Sequence, residues 1–299
     1  MKKFLVFWVE SYLYNPNFLQ KLLSYLLLPF SFLYCFIVWL RYKLAKPEDF
    51  GIEIISVGNL VVGGSGKTPF VIALAQGKEN IAIILRGYGR NSKGLVVVKD
   101  RRDILVDVDQ SGDEAMIYAK KLTHAIVIVS EDRKIAIRQA KEMGCKQIFL
   151  DDAYSKHDIK KLDILLDVKT QNNFCLPSGA YREKLWKNKH AIVLQEGKDF
   201  ERKTSLVDAT QKMSLVTAIA RPQRLDKYLP EVVAKHYFED HHSFTKEELL
   251  EILQRDKSES LLVTFKDFVK IEKFGLPLSL LDLELQLKLE SKSARISQL

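Results

Sequence analysis

The sequence predicts an α/β fold around a mostly parallel sheet, and three observations lead there. Short apolar, β-branched runs such as Ile52-Glu53-Ile54-Ile55-Ser56, Ile81-Ala82-Ile83-Ile84-Leu85 and Ala125-Ile126-Val127-Ile128-Val129 alternate with helix-like stretches; continuous runs of this kind are strands covered on both faces. A glycine-rich turn, Val62-Gly63-Gly64-Ser65-Gly66-Lys67-Thr68-Pro69, joins the first of these strands to the start of a helix. A further strand, Gln147-Ile148-Phe149-Leu150, ends in two acids, Asp151 and Asp152. Strand, glycine turn, Lys-Thr and helix together predict a P-loop NTPase α/β/α sandwich. A second, smaller α/β domain is expected behind it and an N-terminal membrane-anchor helix in front. The expected boundaries are 1–46 for the anchor, 47–195 for the phosphate-loop domain, 196–213 for a linker or hairpin and 214–299 for the smaller domain.

The anchor rests on the stretch from Leu22 to Leu40, which contains no charged side chain. A bilayer-spanning helix needs about 20 apolar residues, so the run just reaches that length. Trp39 and Tyr42 stand where aromatic rings favour an interface, and Arg41, Lys43 and Lys46 follow as a cytoplasmic flank. Pro29 kinks the helix or divides the run into two halves lying in the interface. A cleaved signal peptide fits poorly, because no small-residue cleavage site follows. A buried core helix would be unusually apolar.

Composition narrows the function classes only partly. Apolar residues make up 47% of the 299, which suffices for a core. A net charge of +8 suits nucleic acid, an anionic membrane surface or a phosphorylated substrate alike. No strip of basic and aromatic residues points to nucleic acid. Cys35, Cys145 and Cys175 form no CxxC pair and suggest neither a disulfide framework nor a zinc site.

In the glycine turn, backbone N–H groups and the helix N-terminus can approach phosphate oxygens, Lys67 adds a full positive charge, and the Thr68 hydroxyl can hold Mg²⁺. Val61 occupies the place of the usual first glycine, so Gly63 and Gly64 supply the flexibility from inside the loop. Arg86-Gly87-Tyr88-Gly89-Arg90 follows the second strand, where open sheets collect ligands; the alternative is a plain glycine turn. Asp113 and Glu114 open a helix and by themselves read as capping acids, unless a phosphate loop lies nearby. Ser130 is the expected cap of the next helix, with Arg133 either solvated or an anion ligand. At least one of Asp151 and Asp152 is expected beside Mg²⁺. Glu196 to Lys212 is polar and aperiodic, hence the linker. Thr245-Lys246-Glu247-Glu248 reads as a capping box.

Taken together and in order, these stretches resemble the tetraacyldisaccharide 4′-kinase family. The resemblance is carried by Ser56-Val57-Gly58-Asn59 and the glycine turn, Arg86-Gly87-Tyr88, Gly112-Asp113-Glu114, Ser130-Glu131-Asp132-Arg133, Asp151-Asp152, Leu176-Pro177-Ser178-Gly179 with Arg182-Glu183, Ile219-Ala220-Arg221-Pro222-Gln223, Asp240-His241-His242-Ser243-Phe244 and Thr264-Phe265-Lys266-Asp267. It spans almost the whole chain. It implies an ATP- and Mg²⁺-dependent kinase of lipid A biosynthesis on the cytoplasmic face of the inner membrane. Such an enzyme moves the γ-phosphoryl group to the 4′-hydroxyl of a tetraacyldisaccharide 1-phosphate, giving lipid IV-A. Its partners would be the lipid disaccharide and the membrane surface, with no nucleic acid and no obligate protein partner. The family's base falls on Asp113 with His241 beside it. Gly63, Gly64, Ser65, Gly66, Lys67 and Thr68 would hold ATP, and Thr68, Glu114, Asp151 and Asp152 would surround Mg²⁺. Asn59, Arg86, Tyr88, Arg133 and Arg182 would face substrate or anion.

Departures from the family pattern are local. Asp151-Asp152 continues as Ala153-Tyr154-Ser155-Lys156-His157, with Lys156 where the family has histidine. Two rival functions stand beside the kinase: another membrane-anchored P-loop NTPase such as a GTPase-like switch, and a non-catalytic nucleotide-binding module. A guanine reader would need Asn/Thr-Lys-x-Asp, but in Thr264-Phe265-Lys266-Asp267 the lysine comes one place late. Intact Lys67, Thr68, Asp113 and the aspartate pair argue against decay of the site.

Overall fold

The sequence's longest apolar run is broken in the structure, a computed structural model that describes residues 2–63, 66–219, 222–240 and 242–288. Three helices open the chain: α1 (Lys2–Tyr14), α2 (Phe18–Leu26) and α3 (Leu28–Leu44). Pro29 lies in the first turn of α3, where its missing N–H costs nothing, and α2 and α3 meet at a 60° bend. Among the described residues no single helix is long and apolar enough to cross a membrane; the bent pair is, by length and composition alone. Of the two forms that Pro29 allowed, the run takes the divided one, two helices separated at Leu27.

These helices touch the body through hydrogen bonds. Ser24 Oγ donates to the Ser178 carbonyl (2.6 Å) and Ser31 Oγ to that of Cys175 (2.9 Å), while Ser31 Oγ accepts from Ser178 N (2.9 Å). Buried Asn172 donates to Ser24 Oγ (3.0 Å) and accepts from Phe174 N (3.1 Å). The outer faces are apolar: Phe18, Leu19, Leu26 and Phe32 are each at least 70% exposed.

Among the described residues the main sheet has seven strands in the order β3-β4-β2-β5-β1-β6-β7. They are β1 (Glu53–Gly58), β2 (Ile81–Leu85), β3 (Val96–Lys99), β4 (Ile126–Val129), β5 (Gln147–Asp151), β6 (Leu162–Leu166) and β7 (Ile192–Leu194). Only β3 runs antiparallel, against β4. The connecting helices are α4 (Lys67–Ala75), α5 (Val108–Ser111), α6 (Asp113–Lys121) and α7 (Arg133–Glu142). Two apolar clusters, one on each face, contain Phe70, Val71, Tyr118 and Phe149 on one side and Ile84, Ile137 and Leu150 on the other. The cap of α7 is Asp132, whose carboxylate accepts from Lys134 N (2.8 Å); Ser130 Oγ instead donates to the Asp132 carbonyl.

The second sheet, in the order β10-β9-β11-β12-β8, takes up part of the stretch read as a linker or hairpin. Its strands are β8 (Phe200–Val207), β9 (Met213–Thr217), β10 (Ala234–Tyr237), β11 (Ser260–Thr264) and β12 (Leu278–Leu287). β8 lies in the stretch read as linker, yet it pairs antiparallel with β12 from Phe200↔Leu287 to Val207↔Leu280. Its polar sequence reflects an exposed edge strand with few inward side chains. The helices here are α8 (Lys246–Asp256) and α9 (Phe265–Ile271). Thr245 caps α8 by accepting from Glu248 N (3.2 Å), but Glu248 turns its carboxylate to His242 (2.9 Å) and leaves the capping box half made. Asp267 is fully buried and accepts from Thr217 Oγ1 and Thr264 Oγ1 (both 2.7 Å) and from Ala218 N (3.0 Å), which makes it a structural carboxylate and no reader of guanine.

Asn172→Ala should lower stability by about 1–3 kcal/mol, because Phe174 N loses its acceptor inside the helix seat and Ser24 Oγ loses a donor. Thermal unfolding of the variant checks this, with an unchanged midpoint as the contrary result.

Candidate active site

The parallel register of β1 and β5 sets Val57 opposite Asp151, so both strands end at one level. Asp152 follows with its N–H on the Val57 carbonyl (2.9 Å) and a left-handed φ of 51°, a conformation Asp tolerates better than most residues. The glycine turn leaves from the same end. Gly66 caps α4 with φ 80°, and a β-carbon there would lie 2.8 Å from Arg202 Nη2. Only glycine suits both the backbone and the close approach.

Around this point the predicted residues converge. Lys67 Nζ lies 3.6 Å from Asp152 Oδ1, which Arg182 Nη2 also holds; the same Nη2 donates to Asn59 Oδ1 (2.9 Å). Burial by itself would raise the Asp152 carboxyl, but Lys67, Arg182 and Arg133 hold it below its ordinary value. Asp151 is different. Burial, and then the charge of Glu114, raise its pKa to about 7 against an ordinary 3.8, with Lys67 opposing. Fully buried Tyr118 of α6 donates to Asp151 Oδ2 (2.8 Å) and also bonds Thr68, and burial pushes its hydroxyl well up. Arg133 is buried, bonded to the Ser130 carbonyl, and lowered to about 10 by burial, with Asp151 and Asp152 pulling the other way. Ser130 N donates to the Leu85 carbonyl (3.0 Å), which brings the start of the Arg86 turn beside Arg133.

Asp113 begins α6 after Gly112, whose φ of 82° and 3.0 Å clearance from the Tyr88 carbonyl exclude a side chain. Tyr88 itself is 69% exposed beside this helix start. Lys270 of α9 lies 3.5 Å from Asp113 Oδ2. Gly64, Ser65 and His241, expected in the site, lie outside the described residues. His157 is buried between Tyr42 and Tyr154, with Lys189 on Nδ1 (2.7 Å) and Glu183 3.6 Å from Nε2.

The residues present fit a divalent cation. Asp151 Oδ1 is buried with no hydrogen-bond partner among the described residues, and its neighbour Glu114 adds like charge that a cation would relieve. Among the described residues no cluster of three or more His, Cys, Asp or Glu makes a ready cage. Mg²⁺ needs none, since it is held by one or two carboxylates, waters and substrate phosphates.

Two cavities flank the turn. One of about 670 Å³ lies beyond the ends of β6 and β7, between Val168, Gln195, Phe200 and Arg202, and opens toward Gln223 and Tyr228. The other, about 190 Å³, lies between α3 and the site and is lined by Tyr34, Arg41, Asn59, Asp152 and Arg182. Sequence reasoning missed Arg202, because its strand was read as linker, and Lys270, because nothing in its spacing marks it.

Comparison with known proteins agrees with this arrangement. The family model described as tetraacyldisaccharide-1-P 4′-kinase matches residues 23–213 and 195–299. The chain belongs to the tetraacyldisaccharide 4′-kinase family. It is 50% identical over 297 residues to the tetraacyldisaccharide 4′-kinase of Aliarcobacter butzleri, covering 96% of this chain and 95% of that one. It is 47% identical over 283 residues to that of Helicobacter pylori strain J99, covering 93% and 90%. The crystal structure of LpxK from Aquifex aeolicus in complex with ATP superposes with a TM-score of 0.72 at 27% identity, over 92% of this chain and 98% of that one. The family model's match begins within α2 and takes in α3 and both sheets.

The raised Asp151 carboxyl has a thermodynamic consequence. Between pH 3.8 and about 7 the folded kinase holds a proton that the unfolded chain has lost, so stability falls as pH rises through that window. Asp151→Asn should therefore raise the melting temperature of the ligand-free protein at pH 8, with the gain shrinking toward pH 5. A lower melting temperature at pH 8 would contradict the strained-carboxylate account.

Proposed function

We propose that this chain transfers the γ-phosphoryl group of ATP to the 4′-hydroxyl of a tetraacyldisaccharide 1-phosphate, with Mg²⁺, at the cytoplasmic face of the inner membrane. The observation that carries the reading is the convergence of Lys67, Asp151, Asp152, Arg133 and Arg182 at the ends of β1 and β5, one helix start away from Asp113.

Phosphoryl transfer asks the protein for position and positive charge more than for covalent chemistry. Lys67 and the N-terminus of α4 hold the β- and γ-phosphates, and Arg133 and Arg182 face the charge that spreads over the moving phosphoryl oxygens. Base and ribose occupy the 670 Å³ cavity, with Arg202 reaching back over the turn. Thr68, Asp151 and Glu114 would hold Mg²⁺, and Asp152 lies at the same place. Held there, the ion would supply positive charge to offset that of the phosphates. Lys67, now 3.6 Å from Asp152, then shares itself between that carboxylate and the phosphates. Asp113 accepts the proton of the acceptor hydroxyl as the sugar oxygen bonds to the γ-phosphorus and the bond to the β-phosphate oxygen breaks, releasing ADP.

The lipid reading is supported by the helices at the mouth of the site. Tyr34 donates to the Arg182 carbonyl (3.1 Å), and Arg41 pairs with Glu183, so α3 borders the 190 Å³ cavity directly. Its outward side chains are apolar, and Arg41, Lys43 and Lys46 suit an anionic lipid surface.

Incubation with γ-labelled ATP and a disaccharide-1-phosphate lipid, followed by chromatography, tests the reaction. Label should move to the lipid, Lys67→Ala should lose turnover by on the order of 10³-fold, and Asp113→Ala should lose transfer while still binding ATP. Label remaining on ATP or appearing only as free phosphate refutes the kinase. Membrane seating is tested by flotation on vesicles containing anionic lipid. Phe32→Glu with Phe36→Glu should release most of the protein from the vesicle fraction; undiminished binding counts against the interfacial helices.

A further inference from the structure

The seam between the two sheets' domains is lined by ion pairs whose sense reverses between α5 with the start of α6 and the end of α6. At the N-terminal end the acids belong to the kinase sheet's domain: Asp113 faces Lys270 (3.5 Å) and Asp109 faces Lys273 (4.0 Å). At the C-terminal end the signs reverse: Lys120 pairs with Glu272 (2.6 Å) and Lys121 with Asp282. Most of these contacts can be understood as latches. Lys270 differs, because its partner is the residue that accepts the proton.

Its own position is tightly defined. Lys270 is on the last turn of α9, with a side chain 9% exposed. The ammonium lies 3.9 Å from Asp267 Oδ1, whose carboxylate is locked by Thr217, Thr264 and the Ala218 N–H. It also donates to the His242 carbonyl (3.1 Å) and lies 5.5 Å from the centre of the Phe244 ring. One hydrogen bond and two ion pairs thus surround the ammonium, and two of the three oxygens belong to the second domain. The third is Asp113 Oδ2. A cavity of about 110 Å³ is bordered by Gly89, Asp113, Ser243 and Lys270, so the carboxylate and the lysine open on one space.

From this geometry we propose that Lys270 is the positioning residue for Asp113. It ties the proton-accepting carboxylate to a rigid point in the second domain, so that Asp113 is aimed at the acceptor hydroxyl only while that domain is docked. The assignment rests on Asp113 being the base, as proposed above. A carboxylate at a helix start has several rotamers, and a misplacement of about 1 Å at the reacting centre can cost on the order of 100-fold in rate. Lysine in this role contributes orientation across the seam; it need not touch ATP.

The test measures label transfer to the lipid with the full-length protein. Lys270→Met should lower kcat by on the order of 10- to 100-fold while KM for ATP stays within about twofold, and Lys270→Arg should recover most of the loss. On an Asp113→Ala background, Lys270→Met should cost nothing further, since the two residues act as one unit. Lys120→Ala, which breaks a seam pair remote from Asp113, should leave kcat within about twofold of wild type. Where Lys270→Met does not fold, Lys270→Gln takes its place. A wild-type kcat in the lysine variant overturns the proposal. So does a loss that adds in full to that of Asp113→Ala, or one that Lys120→Ala reproduces. If the wild-type protein itself transfers no label, the kinase reading fails and this assignment with it; an active wild type with an indifferent Lys270 sinks the assignment alone.

Discussion

Everything in the site depends on two parallel strands ending level with each other. Hydrogen bonding between β1 and β5 places the glycine turn and the aspartate pair at one height, and the Asp152 N–H closes onto Val57. From there the charges sort themselves. Asp152 gathers Lys67 and Arg182 and stays ionised, whereas Asp151, walled in by apolar strand and by Tyr118, resists ionisation. Two neighbouring carboxylates thus have opposite electrostatic character because one is paired with cations and the other is enclosed beside the like charge of Glu114. An arrangement of this kind is costly without a ligand, and it is most comfortable with a cation and a polyphosphate present.

Much of this was legible from residue order. Continuous β-branched runs announced the strands of the main sheet, and a glycine turn followed by Lys67-Thr68 announced what lies at their ends. The acids of Asp151-Asp152 followed from the same logic. What escaped had physical reasons. β8 is an exposed edge strand, and with only Phe200 fully inward its alternation is too weak to stand out from a linker. Ser130 and Asp132 are both good caps, and only the backbone decides between them. Arg202 and Lys270 come from the second domain, so their nearness to Gly66 and Asp113 is a product of tertiary packing that local spacing does not encode.

The second domain contributes more than a lid of apolar surface. Its central carboxylate, Asp267, spends its hydrogen-bonding capacity on Thr217, Thr264 and the Ala218 N–H. A buried, satisfied carboxylate is a stiff point in a fold. Through Lys270 that stiffness reaches across the seam, and Arg202 reaches across it in the same way toward the phosphate turn. The two sheets therefore meet with polar groups committed on both sides, which restricts how they can be placed relative to one another.

The helix pair at the N-terminus has an unusual division of labour. Its inner side is fastened by Ser24, Ser31 and Tyr34 to main-chain oxygens, and its outer side is hydrocarbon. Those fastenings tie the outward rings to the segment that carries Arg182, and Arg182 holds Asp152 beside the phosphate turn. With the rings seated in lipid as proposed above, such a tether would act as a ruler, favouring hydroxyls that protrude from the acyl boundary by one particular length.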